Sequence, residues 1–176
     1  TPESEGFLDL PEPTNLGYGV AKRAEELVGQ MYAEEFGTRI AIARPYNAYG
    51  PRDDFEPETS HVIPALIRRI FREQENPLVV WGSGNQSRSF LYVSDFARGL
   101  MEVTEHYAEA DPLNLGSEDE TTIRELVEEL VRIHGGNIEV QFDESKPEGQ
   151  PRRACDTSKA RREIGFEASV PLREGL

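Results

Sequence analysis

Three stretches that follow one another near the start of this chain restrict its fold more than anything else in it. An apolar pattern at helical spacing runs from Asn15 to about Gly37 through Ala21, Ala24, Leu27, Val28, Met31 and Tyr32, with Gly37 placed to end it. Arg39-Ile-Ala-Ile-Ala-Arg44 comes next, a strand-like run with no charge inside it, and then the turn-rich Pro45-Tyr-Asn-Ala-Tyr-Gly-Pro51. A strand without internal charges needs cover on both faces, as in a parallel sheet flanked by helices. The fold class expected is α/β.

Later segments keep the same alternation. A charged loop over Arg52–Ser60 leads into a helix from about His61 to Glu73, and Leu78–Trp81 is a short strand ending in Gly-Ser-Gly. Phe90–Val93 reads as extended, with Ser94 or Asp95 capping a helix to about Tyr107, and Leu113–Leu115 as a strand. Thr121 or Thr122 caps the next helix, Glu125 holds the capping-box position after Thr122, and Gly135-Gly136 closes it. Ile138–Phe142 is a further strand and Ser158–Ile164 a short helix closed by Gly165, whereas Thr1–Thr14 reads as loop.

Tyr18 and Lys22 stand one helical turn apart and therefore on one face. A free phenol titrates near pH 10, so it moves a proton at neutral pH only where a cation stabilises its phenolate, and a lysine one turn away supplies that cation.

With the blocks that follow it, Tyr18-Gly-Val-Ala-Lys22 resembles the Tyr-x-x-x-Lys element of the short-chain dehydrogenase/reductase superfamily. Pro45-Tyr-Asn-Ala-Tyr-Gly-Pro51, Ser60-His-Val-Ile-Pro-Ala-Leu-Ile-Arg-Arg69, Val79-Val-Trp-Gly-Ser-Gly84 and Arg88-Ser-Phe-Leu-Tyr-Val-Ser-Asp95 resemble its extended, nucleotide-sugar-modifying branch, the NAD-dependent epimerase/dehydratases. The order and spacing of the blocks most resemble the branch members that epimerise and reduce GDP-4-keto-6-deoxymannose. The resemblance extends from Thr1 to Leu176.

It implies an NAD(P)-binding Rossmann fold joined to a smaller substrate-binding domain. Residues 1–52 would then complete the dinucleotide-binding domain, and residues 53–176 would form mainly the substrate domain, with segments near 90–133 returning to the Rossmann sheet. Tyr18, Lys22 and His61 are implied as catalytic, His61 as an acid in epimerisation. NADP or NAD is the implied cofactor, held by Tyr18, Lys22, Pro45, Tyr46, Asn47, Ala48 and His61. The substrate, a nucleotide sugar with a GDP carrier, falls to Asn47, Arg69, Trp81, Arg88 and one of Arg152 and Arg153, of which Arg152 is chosen. A homodimer is implied for the full-length protein, and no metal.

The chain departs from the family in holding no Gly-x-x-Gly-x-x-Gly turn, so it looks like a C-terminal portion. The family's catalytic Ser/Thr, and the cysteine that pairs with the histidine, are expected upstream of Thr1. Ile40, Ile42, Leu113 and Leu115 are then expected to present apolar edges without a partner. Two other readings stay open: a different nucleotide-sugar 4-epimerase or 4,6-dehydratase, and a noncatalytic nucleotide-sugar-binding fragment.

A net charge of −14 gives no basic excess to displace counterions from a nucleic acid. The arginines nevertheless gather at Arg68-Arg69, Arg88 and Arg152-Arg153, and guanidinium suits a diphosphate. Glu118-Asp-Glu120 reads as solvated surface. No apolar run approaches the roughly 18 to 20 residues that cross a bilayer, and a cytoplasmic setting is expected. The single cysteine, Cys155, reads as a packing residue.

Overall fold

The computed structural model describes residues 1–11 and 13–176; position 12, inside the stretch expected to be loop, lies outside them. Within that stretch Glu3–Glu5 and Pro13–Asn15 make single 3-10 turns. Helix α1 covers Leu16–Phe36 and stops at Gly37, whose φ of +64° lets its N–H reach back to the Ala33 carbonyl.

Strand β1 is confined to Ala43–Pro45. Residues just before it still run beside the chain, since the Ile40 and Ile42 carbonyls accept from Ala110 and Leu113 N–H at 2.8 and 3.0 Å. β1 pairs in parallel with β6 (Leu113–Leu115), and α1 is pinned to β1 by Arg44, which bonds Glu26 at 2.6 and 2.8 Å.

The remaining elements are β2 (Ala48–Tyr49), α2 (Val62–Ile67), β3 (Leu78–Trp81), β4 (Ser87–Ser89), β5 (Leu91–Tyr92) and α3 (Val93–His106). After β6 come β7 (Glu120–Thr122), α4 (Ile123–His134), β8 (Val140–Asp143), β9 (Arg152–Arg153), α5 (Ser158–Ile164) and α6 (Leu172–Gly175). β2 pairs with β5 and β3 with β8, both in parallel, while β7, β4 and β9 form a three-stranded sheet with β4 in the middle. α2 leads into one π turn over Arg68–Arg72, and α3 begins after Tyr92 without the side-chain cap expected from Ser94 or Asp95. The Thr122–Glu125 capping box and the left-handed Gly135 bound α4 as the sequence suggests.

Apolar side chains collect in separate cores. One gathers Ile63, Leu66, Ile70, Leu78 and Val80 with Ile123, Leu126, Val127 and Leu130 of α4. The other gathers Leu91, Val103, Leu113, Leu115, Ala160 and Phe166 around β1 and β6. Of the 90–133 span, residues 91–115 thus pack beside β1, whereas α4 packs with α2 and β3.

Uncovered apolar surface does not lie where the sequence suggests. Leu113 and Leu115 are buried beneath α3, α5 and Phe166, and Ile42 is buried against α1, where a methyl group at Gly29 would lie 3.8 Å from its Cδ1. It lies on α1, which buries no residue and leaves Leu27, Val28, Met31 and Tyr32 about half exposed. The helical periodicity is real, but no described residue buries that stripe.

Candidate active site

Tyr18 and Lys22 occupy the first two turns of α1, and the Lys22 ammonium lies 5.8 Å from the centre of the Tyr18 ring. Glu25, one turn further on, accepts from Lys22 at 2.8 Å and, through that bond first, raises the lysine's pKa. The tyrosine is 68% exposed, so its phenol is open to a second molecule.

Pro45, Tyr46, Asn47 and Ala48 form the link from β1 to β2, at the carboxyl end of a parallel strand, where α/β sheets present their ligands. Tyr46 N–H donates to the Leu115 carbonyl at 2.9 Å. Asn47 adopts φ +41°, a conformation asparagine tolerates, and its side-chain amide donates to the Ser89 carbonyl at 2.8 Å. This ties the link to β4, next to Arg88.

Arg88 has no carboxylate partner among the described residues; it donates to the Ser87 carbonyl at 2.7 Å. Burial first, and then the like charge of Arg153, draw its pKa below the ordinary value. Arg88 and Arg153 are register partners in the parallel β4–β9 pair, so their side chains leave the sheet on the same face. The field of Arg153 also reaches Tyr46, whose pKa burial raises and Arg153 opposes. Two guanidinium groups, neither neutralised by an acid among the described residues, thus stand beside the Asn47 turn. In a chain of net charge −14, that is an arrangement of charge able to accept an anion.

The other expected substrate residues are placed differently. Arg69 bonds both oxygens of Glu75 at 2.6 and 2.7 Å and the Val79 carbonyl at 2.6 Å, so its fork already staples the turn after α2 to β3. Arg152, neighbour of Arg153 on a strand, leaves on the opposite face and forks onto Glu120 at 2.8 to 3.0 Å. Arg152, chosen from the sequence for the substrate, thus faces away from Arg88, and Arg153 stands beside Arg88. Trp81 ends β3 and is 59% exposed, just before Gly82 at φ +82°. His61 is exposed at the start of α2, its carbonyl accepting from Ala65 N–H at 3.0 Å. The loop before it is braced by Asp54, which accepts from Thr59 Oγ1 and Glu56 N–H; the Thr59 bond first, and His61 last, hold the Asp54 carboxyl below its usual range.

Glu118-Asp-Glu120 is exposed, as the sequence suggests. Its side chains are nonetheless engaged, Glu120 by Ser87 and Arg152, and Glu118 by Thr157 and Arg161, which the sequence reading did not find. The alternation Ser87-Arg88-Ser89 beside Arg152-Arg153 holds the signal, but only once the two segments are known to pair.

The sequence pattern of the NAD dependent epimerase/dehydratase family matches residues 1–116, and the chain belongs to that family. It is 43% identical to a probable GDP-L-fucose synthase 1 of Oryza sativa subsp. japonica, over 99% of this chain and 54% of the relative. To the GDP-L-fucose synthase of Escherichia coli (strain K12) it is 37% identical, over 99% of this chain and 58% of that protein. The crystal structure of a GDP-L-fucose synthetase from Naegleria fowleri bound to NADP superposes with a TM-score of 0.87 at 30% identity, over 99% of this chain and 57% of that one. The chain thus spans about half the length of the curated relatives it matches.

Proposed function

We propose that this chain carries the Tyr-Lys pair and the nucleotide-sugar site of an NADP-dependent epimerase/reductase acting on GDP-4-keto-6-deoxymannose. The observation that carries the reading is the pair of Arg88 and Arg153, two cations without acid partners among the described residues, beside the Asn47 turn. A sugar nucleotide brings to such a place a diphosphate that neutralises both. The names of the rice and bacterial relatives, both GDP-L-fucose synthases, support the GDP-linked sugar, and the NADP-bound relative supports the cofactor.

Tyr18, Lys22 and the backbone of Pro45–Ala48 fit the nicotinamide–ribose end of a dinucleotide: an ammonium and a phenol on one face, and a strand end in a parallel sheet. No Gly-x-x-Gly-x-x-Gly turn in this sequence offers the pyrophosphate a cradle. When bound, the dinucleotide supplies the hydride. Tyr18 then holds the proton destined for the substrate's carbonyl oxygen, and Lys22 lowers the cost of the phenolate left behind. His61, exposed on its braced loop, serves as the acid that returns a proton to a carbon beside the ketone. Arg88 and Arg153 hold the diphosphate, with Trp81 against the nucleotide.

In the same reading, residues 1–52 belong to the dinucleotide-binding domain and the substrate domain is drawn mainly from 53–176. The bare stripe of α1 supports a homodimer, and the cytoplasm is the setting. No helix among the described residues is long and apolar enough to cross a membrane.

Solvent-deuterium incorporation and NADPH consumption, measured together on GDP-4-keto-6-deoxymannose, test the reading. The full-length wild type is expected to show both activities, and its His61→Gln variant to lose exchange at the carbons flanking the ketone. Exchange at the wild-type rate in His61→Gln would remove the histidine from the chemistry.

A further inference from the structure

Arg153 stands beside Arg88 at a cost, because two adjacent guanidiniums repel each other. Strand β9, which delivers it, is only Arg152–Arg153, and one backbone bond, Ser87 N–H to the Pro151 carbonyl at 2.9 Å, leads it onto β4. A strand so short needs another attachment to hold a repelling charge in place.

That attachment is on the other face of the sheet. Glu120 of β7 lies opposite Ser89 of β4, and Ser87 lies opposite Arg152 of β9. Since residues two apart on a strand share a face, Glu120, Ser87 and Arg152 form a row across all three strands, and Arg88 and Arg153 lie on the reverse. Glu120 accepts the Ser87 hydroxyl and the fork of Arg152, joining the outer strands across the central one. The Arg152 bond first, then Ser87, hold its carboxyl below the usual range. Upstream, residues 144–151 cross Gly82, where a methyl group would meet Glu148 Cγ at 2.9 Å, and Ser83 bonds Glu148. Both attachments fix the path of the segment that ends in Arg153.

We propose that Glu120 is a positioning residue for substrate: with Ser87 and Arg152 it latches β9 to the sheet and so holds Arg153 opposite Arg88, ready for a nucleoside diphosphate. The proposal rests on reading Arg88 and Arg153 as the diphosphate site. It has a sharp competitor. Were Glu120 only a counter-charge that keeps Arg152 from the ligand, removing it would strengthen anion binding.

Calorimetric titration of the protein with GDP, and with guanosine as a probe lacking phosphate, separates the cases. Arg88→Ala is expected to weaken GDP binding strongly. Glu120→Gln should weaken it about tenfold, the scale of a lost charge-assisted bond, with guanosine unaffected. Ser87→Ala, a smaller change to the same row, should weaken it less, and the exchange of charges in Glu120→Arg/Arg152→Glu should restore most of the affinity. In turnover, Glu120→Gln should raise KM for the sugar nucleotide and leave kcat near wild type. GDP binding by Glu120→Gln at or above wild-type strength, or no recovery in the exchanged pair, overturns the latch. Undiminished GDP binding by Arg88→Ala overturns the diphosphate site itself, and the latch with it.

Discussion

The side-chain amide of Asn47 donates to the main-chain carbonyl of Ser89 at 2.8 Å, so the turn after β1 and the strand carrying Arg88 are held by one bond. Asn47 reaches it from φ +41°, where a residue with an ordinary Cβ is strained. Asn47→Ala therefore loses about 1 kcal/mol of hydrogen bonding and adds about 1 kcal/mol of backbone strain. Asn47→Gly loses the bond without the strain and should cost about half as much. Thermal melts of the three proteins check this, with a drop of roughly 4 to 8 °C expected for Asn47→Ala in a domain of this size. Equal melting of the Ala and Gly variants would show that the left-handed geometry costs nothing.

Tyr18→Phe removes a hydroxyl from a side chain 68% exposed on α1 and disturbs no core. In the full-length protein turnover should fall by about 10²- to 10⁴-fold, the usual worth of a positioned general acid, while GDP affinity stays unchanged. A loss under about threefold would mean that the phenol does not carry the proton. Lys22→Met should act in the same direction, since the phenolate loses its nearby cation.

Cys155 packs against Gly116, where a methyl group would meet its sulfur at 2.7 Å, and burial first, with Glu3 next, pushes the thiol up to about 12. At pH 8 a thiol of that pKa is about 10⁻⁴ ionised, against roughly a quarter for a free cysteine. Iodoacetamide should accordingly label the folded protein at least about 100-fold more slowly than the urea-unfolded chain. Comparable rates would show an accessible, ionising thiol and reopen a chemical role for it.

What was legible in the sequence is what local chemistry decides. The Tyr18–Lys22 spacing, the capping box of Thr122 and Glu125, and the glycine stops at Gly37, Gly135 and Gly165 each depend on residues within a turn of one another. The pairing of Arg88 with Arg153 depends on long-range register instead. β4 and β9 are three and two residues long, carry no apolar alternation and pair across more than sixty positions of chain, so nothing near Arg152 says which face it takes. The stripe on α1 failed differently: its periodicity gave the helix correctly, but it cannot say whether the partner of that face lies within the same chain.

Asp95, buried at the start of α3, offers the clearest pH dependence. It accepts Ser169 N–H and Oγ at 2.8 and 2.7 Å, Val170 N–H at 2.9 Å and Arg98 at 2.9 Å, tying the segment before α6 to the helix. Burial alone would push the carboxyl up; the Arg98 bond, followed by the Val170 and Ser169 donors, outweighs it and holds the group below its ordinary range. A carboxylate depressed in the folded state stabilises fully above its unfolded pKa of about 4 and loses that contribution as pH falls through the folded value. Asp95→Asn keeps the shape but loses the charge, and should cost about 2 to 3 kcal/mol at pH 7. Urea unfolding of both proteins should show that difference constant from pH 7 to pH 5 and shrinking below about pH 4. Other carboxylates titrate alike in the two proteins and cancel in the comparison. A gap that stayed constant into acid would mean that the charge of Asp95 contributes nothing beyond its packing.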